Sequence, residues 1–301
     1  MKSFLLLVKR NCRLFFKDKG MFFSSLITPI ILLVLYVTFL ANVYRDSFVS
    51  ALPQNFSVDP DLIDATVGGQ LISSLLAVSC VTVAFCANLL MIQDKANGTL
   101  RDLTVTPLRR SVLSGSYFCA SAVSTLMITF TALAASLLYL RIFSGWYMSL
   151  ADVLLLVLDV FLLTLFGVAL SSCANFALTT QGQASAVGTI VSAGYGFVCG
   201  AYMPIASFPK GLQKVLSFLP GTYGTALLRN HCLHGVYEEM EQVGFPAEVV
   251  EGIRDGIDCN LYFFGSKVEN GTMYLILAGA TVALVAIYIL LNFLWSRKKS
   301  S

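Results

Sequence analysis

His231 and His234, with Cys232 nearby and Glu238 four residues past His234, offer donor types that bind zinc and would share one face of a helix. The plainer reading is two interfacial histidines at the end of a short amphipathic helix, and no metal is expected. Asp152 and Asp159 are seven residues apart, so both fall on one face of an apolar helix. A carboxylate at that depth suits a substrate path or a proton-linked step; an interhelical hydrogen bond is the alternative. Asp152 lies nearer the end of the run and is expected to pair with Arg141. Gly188, Ser192 and Gly196 recur every four residues, a smooth face that serves close helix packing or equally a dimer seam lining an exit path. Cys232 and Cys259 fall in the same non-apolar region, where a disulfide is a plausible brace. The sequence has no Gly-Lys dipeptide and therefore no phosphate-cradling loop of the Gly-x-x-x-x-Gly-Lys type. It also lacks His-Glu-x-x-His and Gly-x-Ser-x-Gly, so no catalytic residue is assigned.

These residues have to be held by elements built for lipid. Of 301 residues, 56% are apolar and only 12% charged, about half the charge of an ordinary soluble domain. A soluble enzyme and a disordered chain are both excluded by that balance. A net charge of +3, with basic residues scattered between apolar runs, argues against nucleic acid. Six runs are long enough to cross a bilayer, at about 22–43, 66–92, 111–140, 150–174, 183–202 and 272–295. The expected fold is therefore an all-α integral membrane protein, a single transmembrane domain over 1–301.

Charge placement fixes the orientation. Thirteen of the 20 Lys and Arg lie before the first run, between the second and third, or after the last, and cytoplasmic loops retain such residues. Both termini and the 93–110 loop are expected to be cytoplasmic, in the cell membrane. Twelve of the 17 Asp and Glu fall on the opposite side, eight of them between Glu238 and Glu269. Segment 1–20 places Phe4, Val8, Cys12 and Phe15 on one helical face and Lys9, Arg13 and Lys17 on another, the pattern of an amphipathic helix lying on the inner leaflet. Segment 206–271 is expected outside. Ser207 would cap a short helix with Pro209 in its first turn, and a second would run from Thr222 to Leu233. At about 12 residues each is too short to span, so both would dip into the outer leaflet and return.

In the 93–110 loop, Gly98 can end the incoming helix, Thr99 to Val105 can form a short helix, and Pro107 stops it. A short helix fixed crosswise between two spans transmits force to both. The order Asp94, Gly98-Thr99-Leu100, Arg101, Asp102, then Thr106-Pro107-Leu108 and a basic pair before a long run resembles type-2 ATP-binding-cassette exporter permeases. A second block, Tyr202-Met203-Pro204 through Pro209 and then Leu219-Pro220-Gly221-Thr222-Tyr223, is similar to the segment after that family's fifth span. The resemblance implies that Asp94, Gly98, Thr99, Leu100, Arg101, Asp102 and Pro107 couple to a separate nucleotide-binding subunit, which binds ATP and Mg. It further implies a second permease copy, identical or similar, and export by alternating access. A drug, peptide or lipid suits the apolar spans. A membrane receptor with a ligand-binding outer cap is the alternative from another class.

Overall fold

The computed structural model describes residues 2–42, 45–46, 48, 59–106 and 108–298. Helix α1 (Lys2–Lys17) buries Leu7, Asn11 and Phe15 and leaves its lysines outward; of the expected apolar face Phe4, Val8 and Cys12 are half-buried. Asp18 then caps α2 (Lys19–Leu35) by accepting from Met21 N–H, and the chain turns by 71° between the two helices. A π-helical stretch, Tyr36–Leu40, continues α2.

The centre of the molecule is α3 (Pro60–Ala96), buried along almost all of its 37 residues. Such a helix is apolar all round, which is why it shows no amphipathic period. Of its buried polar positions, Ser74 and Asn88 bond to other helices, whereas Ser79 and Thr82 donate back to the carbonyls of Leu75 and Val78 in α3 itself. Around it stand α5 (Arg110–Tyr139, continued by Leu140–Ser144), α6 (Leu150–Phe176), α7 (Gln181–Val198), and α11 (Asn270–Lys298), which packs on α6. The short helix α4 (Thr99–Val105) bridges α3 and α5.

Four helices, Pro60–Ala96, Arg110–Ser144, Leu150–Phe176 and Asn270–Trp295, are long and apolar enough to cross a membrane, and the bent α1–α2 pair makes a fifth if counted as one. The fifth expected run, at 183–202, is α7, which has 18 residues with Gln181 and Gln183 in its first turn. It stops at Val198, not at Tyr202, because Gly200 takes a left-handed φ of 75°. Ala201 N–H donates to Gly196 C=O and Gly200 N–H to Phe197 C=O, the paired closure that a left-handed glycine permits.

The outer region departs most from expectation. Ser207 does not cap a helix: Ile205–Ser207 is a single 3-10 turn, Phe208 is extended ahead of Pro209, and α8 runs only from Lys210 to Leu216. Asp258 dictates this by accepting from Ile205 N–H and from Ala206 N–H at 3.0 Å. The second helix is no short dip. Helix α9 (Pro220–Gln242) has 23 residues, opens with proline in its first turn, and is buried against α3 and α6. Gly235 does not end it, because the glycine is where Tyr147 C=O closes onto the helix. Beyond it, α10 (Ala247–Gly256) leads to a two-stranded antiparallel hairpin, β1 (Leu261–Phe263) and β2 (Ser266–Val268), so the fold is helical with one small hairpin.

Candidate functional site

Helix α4 begins at Gly98, whose φ of 80° lets α3 stop and the chain turn within one residue. Leu100 and Leu103 pack inward with Leu7, Phe15, Met91, Leu113 and Tyr117, fixing one face of the short helix. The other face is bare: Arg101, Asp102, Thr104, Val105 and Thr106 are exposed, Val105 by 83%. Among the described residues neither Arg101 nor Asp102 forms an ion pair. This seven-residue helix thus has an apolar floor and a charged, exposed roof. Pro107 lies outside the described residues.

Asp94 does not belong to that exposed face. It is buried, accepts from Arg10 Nη1 at 2.7 Å and from Tyr117 Oη at 2.5 Å, and so pins α1 and α5 to the end of α3. The neighbouring Lys95 turns the other way. Its ammonium donates to the carbonyls of Phe176 at 2.7 Å and Leu178 at 3.1 Å, where α6 ends and its last carbonyls lack partners. Helix α4 therefore stands on a frame tied to α1, α5 and α6. Sequence reasoning missed Arg10, Tyr117 and Lys95. The available signal was two opposite charges side by side at the end of an apolar run, each needing its own partner.

Deeper in the molecule Asn88 accepts from Ser121 at 3.0 Å and donates to Ser172 at 3.1 Å and to Ser171, joining α3 to α5 and α6. Asp159 is buried and contacts His231 Nδ1 at 2.6 Å and Tyr274 Oη at 2.5 Å, so that one carboxylate links α6, α9 and α11. The interhelical hydrogen bond that the sequence offered as one reading is present. Asp152 does not pair with Arg141; it closes the capping box of α6 with Ser149 and lies 3.2 Å from His234 Nδ1. Both histidines thus face aspartates. No cluster of three or more metal-ligating residues occurs among the described residues.

The small-residue stripe splits. Tyr202 folds back onto Gly196, its hydroxyl reaching Ser192 C=O at 3.4 Å, so this part of the stripe is filled from within the chain. Gly188 has nothing within 4 Å of where a side chain would stand. Cys232 and Cys259 are both buried free thiols, and the expected disulfide is not formed. Cys259 Sγ lies 3.1 Å from Tyr237 Oη instead.

The family model described as ABC-2 type transporter matches residues 2–232, from the start of α1 into α9. This chain belongs to that family. The ABC-2 permease is a transport subunit and not itself catalytic, a multi-pass membrane protein whose family implies an ATP-binding partner. No curated protein matches it. Helix α10, the hairpin and α11 lie beyond the matched residues.

Proposed function

We propose that this permease exports an amphipathic or lipophilic substrate, a drug, peptide or lipid, across the cell membrane by alternating access. It works as a pair of permease chains, identical or similar, with a separate ATPase subunit that holds ATP and Mg. Each chain crosses the membrane six times, α2, α3, α5, α6, α7 and α11 being the crossings, with both termini cytoplasmic. The basic clusters of α1, the α4 loop and the C-terminus support that orientation, since positive residues stay inside. Asp159 and the open side of α7 at Gly188 border the substrate path, in keeping with an intramembrane carboxylate and a smooth face.

The observation that carries the reading is α4, exposed on Arg101, Asp102 and Val105 while its underside is packed into the cytoplasmic ends of α3 and α5. ATP binding would shift the partner, and the partner would shift α4. Membership in the family favours this over a receptor. A photoreactive amino acid at Val105, irradiated in native membranes, should cross-link to a protein carrying a phosphate-binding loop. Charge reversal at Arg101 or Asp102 should leave the permease folded but uncouple ATP hydrolysis from export. A cross-link only to proteins without such a loop, or wild-type export in both reversals, refutes the assignment.

A further inference from the structure

The hairpin beyond the family match carries a feature that its own stability does not explain. Pairing of Phe263 with Ser266 leaves a two-residue turn, Phe264-Gly265, with φ of 49° and 91°. Two-residue hairpins with both central φ positive favour Asn, Asp or Gly at the first place, and a bulky residue there is an outlier. Strain of this kind persists where something compensates it. Nothing within the chain does so by burial, because Phe264 is 65% exposed and Phe218 beside it 61%. The rings of Phe218, Phe263 and Phe264 pack edge to face with centroids 4.9–5.9 Å apart, so one aromatic knob presents its outer surface.

The depth of the knob identifies its surroundings. Leu261, at the root of β1, packs with Tyr223 and Leu227 of α9 and with Met273 of α11. Those helices are registered against α6: Tyr274 bonds Asp159, nine residues past Leu150, and Gly224 packs on Leu163, thirteen past it. By helix rise these contacts are about 14 and 20 Å along a span. Phe218 stands two residues before α9 begins. The knob is thus level with the apolar helices and not above them. The opposite pole of the hairpin is polar: Tyr262 Oη donates to Asp255 at 3.0 Å and Lys267 Nζ contacts Glu251 at 2.5 Å, both on acidic α10. Exposed Lys214 has its ammonium 5.9 Å from the Phe264 ring, within reach of a phosphate while its stem follows the ring.

We propose that Phe218, Phe263 and Phe264 are a lipid anchor that seats the outer cap in the outer leaflet, the rings among the acyl chains and the Lys214 ammonium reaching toward the headgroup boundary. Aromatic and basic side chains together mark that boundary. The inference needs the membrane-spanning fold and no particular substrate.

The test uses full-length protein with Trp146 and Trp295 replaced by phenylalanine and a single probe, Phe264→Trp, reconstituted in phosphatidylcholine–phosphatidylglycerol vesicles. Lipids brominated on the acyl chain should quench it at least about twofold more than acrylamide does, as a ring seated among the acyl chains requires. A Tyr262→Trp control, facing α10, should show the reverse. A second probe, Phe218→Trp, read with and without Phe264→Asn, separates anchoring from folding. Asparagine suits the turn, so the thermal midpoint in detergent should hold or rise while lipid quenching at position 218 falls. Quenching of the probe at 264 by acrylamide alone overturns the proposal, as does protection from both quenchers, which would mean a seam with a second copy. Unchanged quenching at 218 after Phe264→Asn also overturns it.

Discussion

Replacing Asp94 with alanine should loosen the frame beneath α4, although Asp94 is buried away from the exposed face of that helix. The substitution leaves the Arg10 guanidinium and the Tyr117 hydroxyl without their shared acceptor, both on helices whose only polar tie to α3 at this point is that carboxylate. Removing one member of a fully buried ion pair costs about 3–5 kcal/mol. Arg10 here keeps 31% of its side chain exposed, against 9% for Asp94, so water recovers part of the loss. A discounted cost of roughly 1–3 kcal/mol follows, a drop of several degrees in melting midpoint for a chain of this size. Five buried thiols, Cys80, Cys86, Cys199, Cys232 and Cys259, make a thiol-reactive dye a direct reporter of unfolding. The full test is a cycle of Arg10→Ala, Asp94→Ala and the double variant, with ATPase stimulation measured alongside. The double variant should be little worse than Asp94→Ala alone, and Asp94→Asn, which keeps an acceptor for Tyr117, should fall between. Additive losses would mean that Arg10 and Asp94 act independently and would refute the pin. Full export by a destabilised Asp94→Ala protein would refute the view that α1 must be held for coupling.

Asp159→Ala removes two interhelical hydrogen bonds worth about 0.6–1.7 kcal/mol each in membranes, so the melting midpoint should fall, with Asp159→Asn milder; an unchanged midpoint would leave only a substrate-path role. Gly98→Ala puts a side chain at φ 80° and should cost roughly 1–2 kcal/mol with reduced coupling, measured by the same dye and by ATPase assay. Cys232 and Cys259 should give one gel mobility with or without reductant. Burial pushes the Cys259 thiol up to about 11, so it should resist maleimide at neutral pH until the protein unfolds, and rapid labelling of the native protein would contradict its placement.

The apolar runs, the amphipathic α1 and the Gly98 turn were legible because each rests on local pattern: length, a helical period, or one residue's backbone freedom. The exposed face of α4 was legible for the same reason. Asp94 was named within its loop, but its contacts were not legible there. It sits four residues before Gly98, yet its partners are Arg10 and Tyr117, and no pattern in 93–110 points to them. The outer region was misread where distant residues override local signals. Ser207 has the side chain of a cap, but Asp258, 51 residues later, takes the neighbouring N–H groups into another turn. The helix expected to stop at Leu233 runs on to Gln242, with Gly235 as the point where Tyr147 C=O meets it. The disulfide between Cys232 and Cys259 was inferred from compartment alone, which says nothing about where the two sulfurs point.

The same ties bear on how a push at α4 would travel. Helix α3 carries Asp94 at the end next to α4, Asn88 about two turns before it and Ser74 farther along, a span of 20 residues or about 30 Å. At each level it is fastened to different elements: α1 and α5 at Asp94, α5 and α6 at Asn88, and α9 at Ser74, which accepts from Arg229 Nη2 at 3.2 Å. Arg229 is buried and also reaches Gly200 C=O at 2.6 Å, Ile257 C=O at 2.7 Å and Asp258 at 3.5 Å, the residues that close α7 and shape the outer turn. A displaced α3 therefore moves the end of α7 and the cap together or breaks a buried charge out of its contacts. Spatial continuity alone does not make a coupling path; two arrangements of one element must be biased from both ends. Helix α3 carries both the polar tie next to α4, at Asp94, and the one to the buried Arg229, at Ser74. Trapping its outer end by a cross-link between positions 74 and 229 should consequently abolish ATPase stimulation by substrate while leaving basal hydrolysis by the partner intact, and stimulation surviving that cross-link would place the coupling elsewhere.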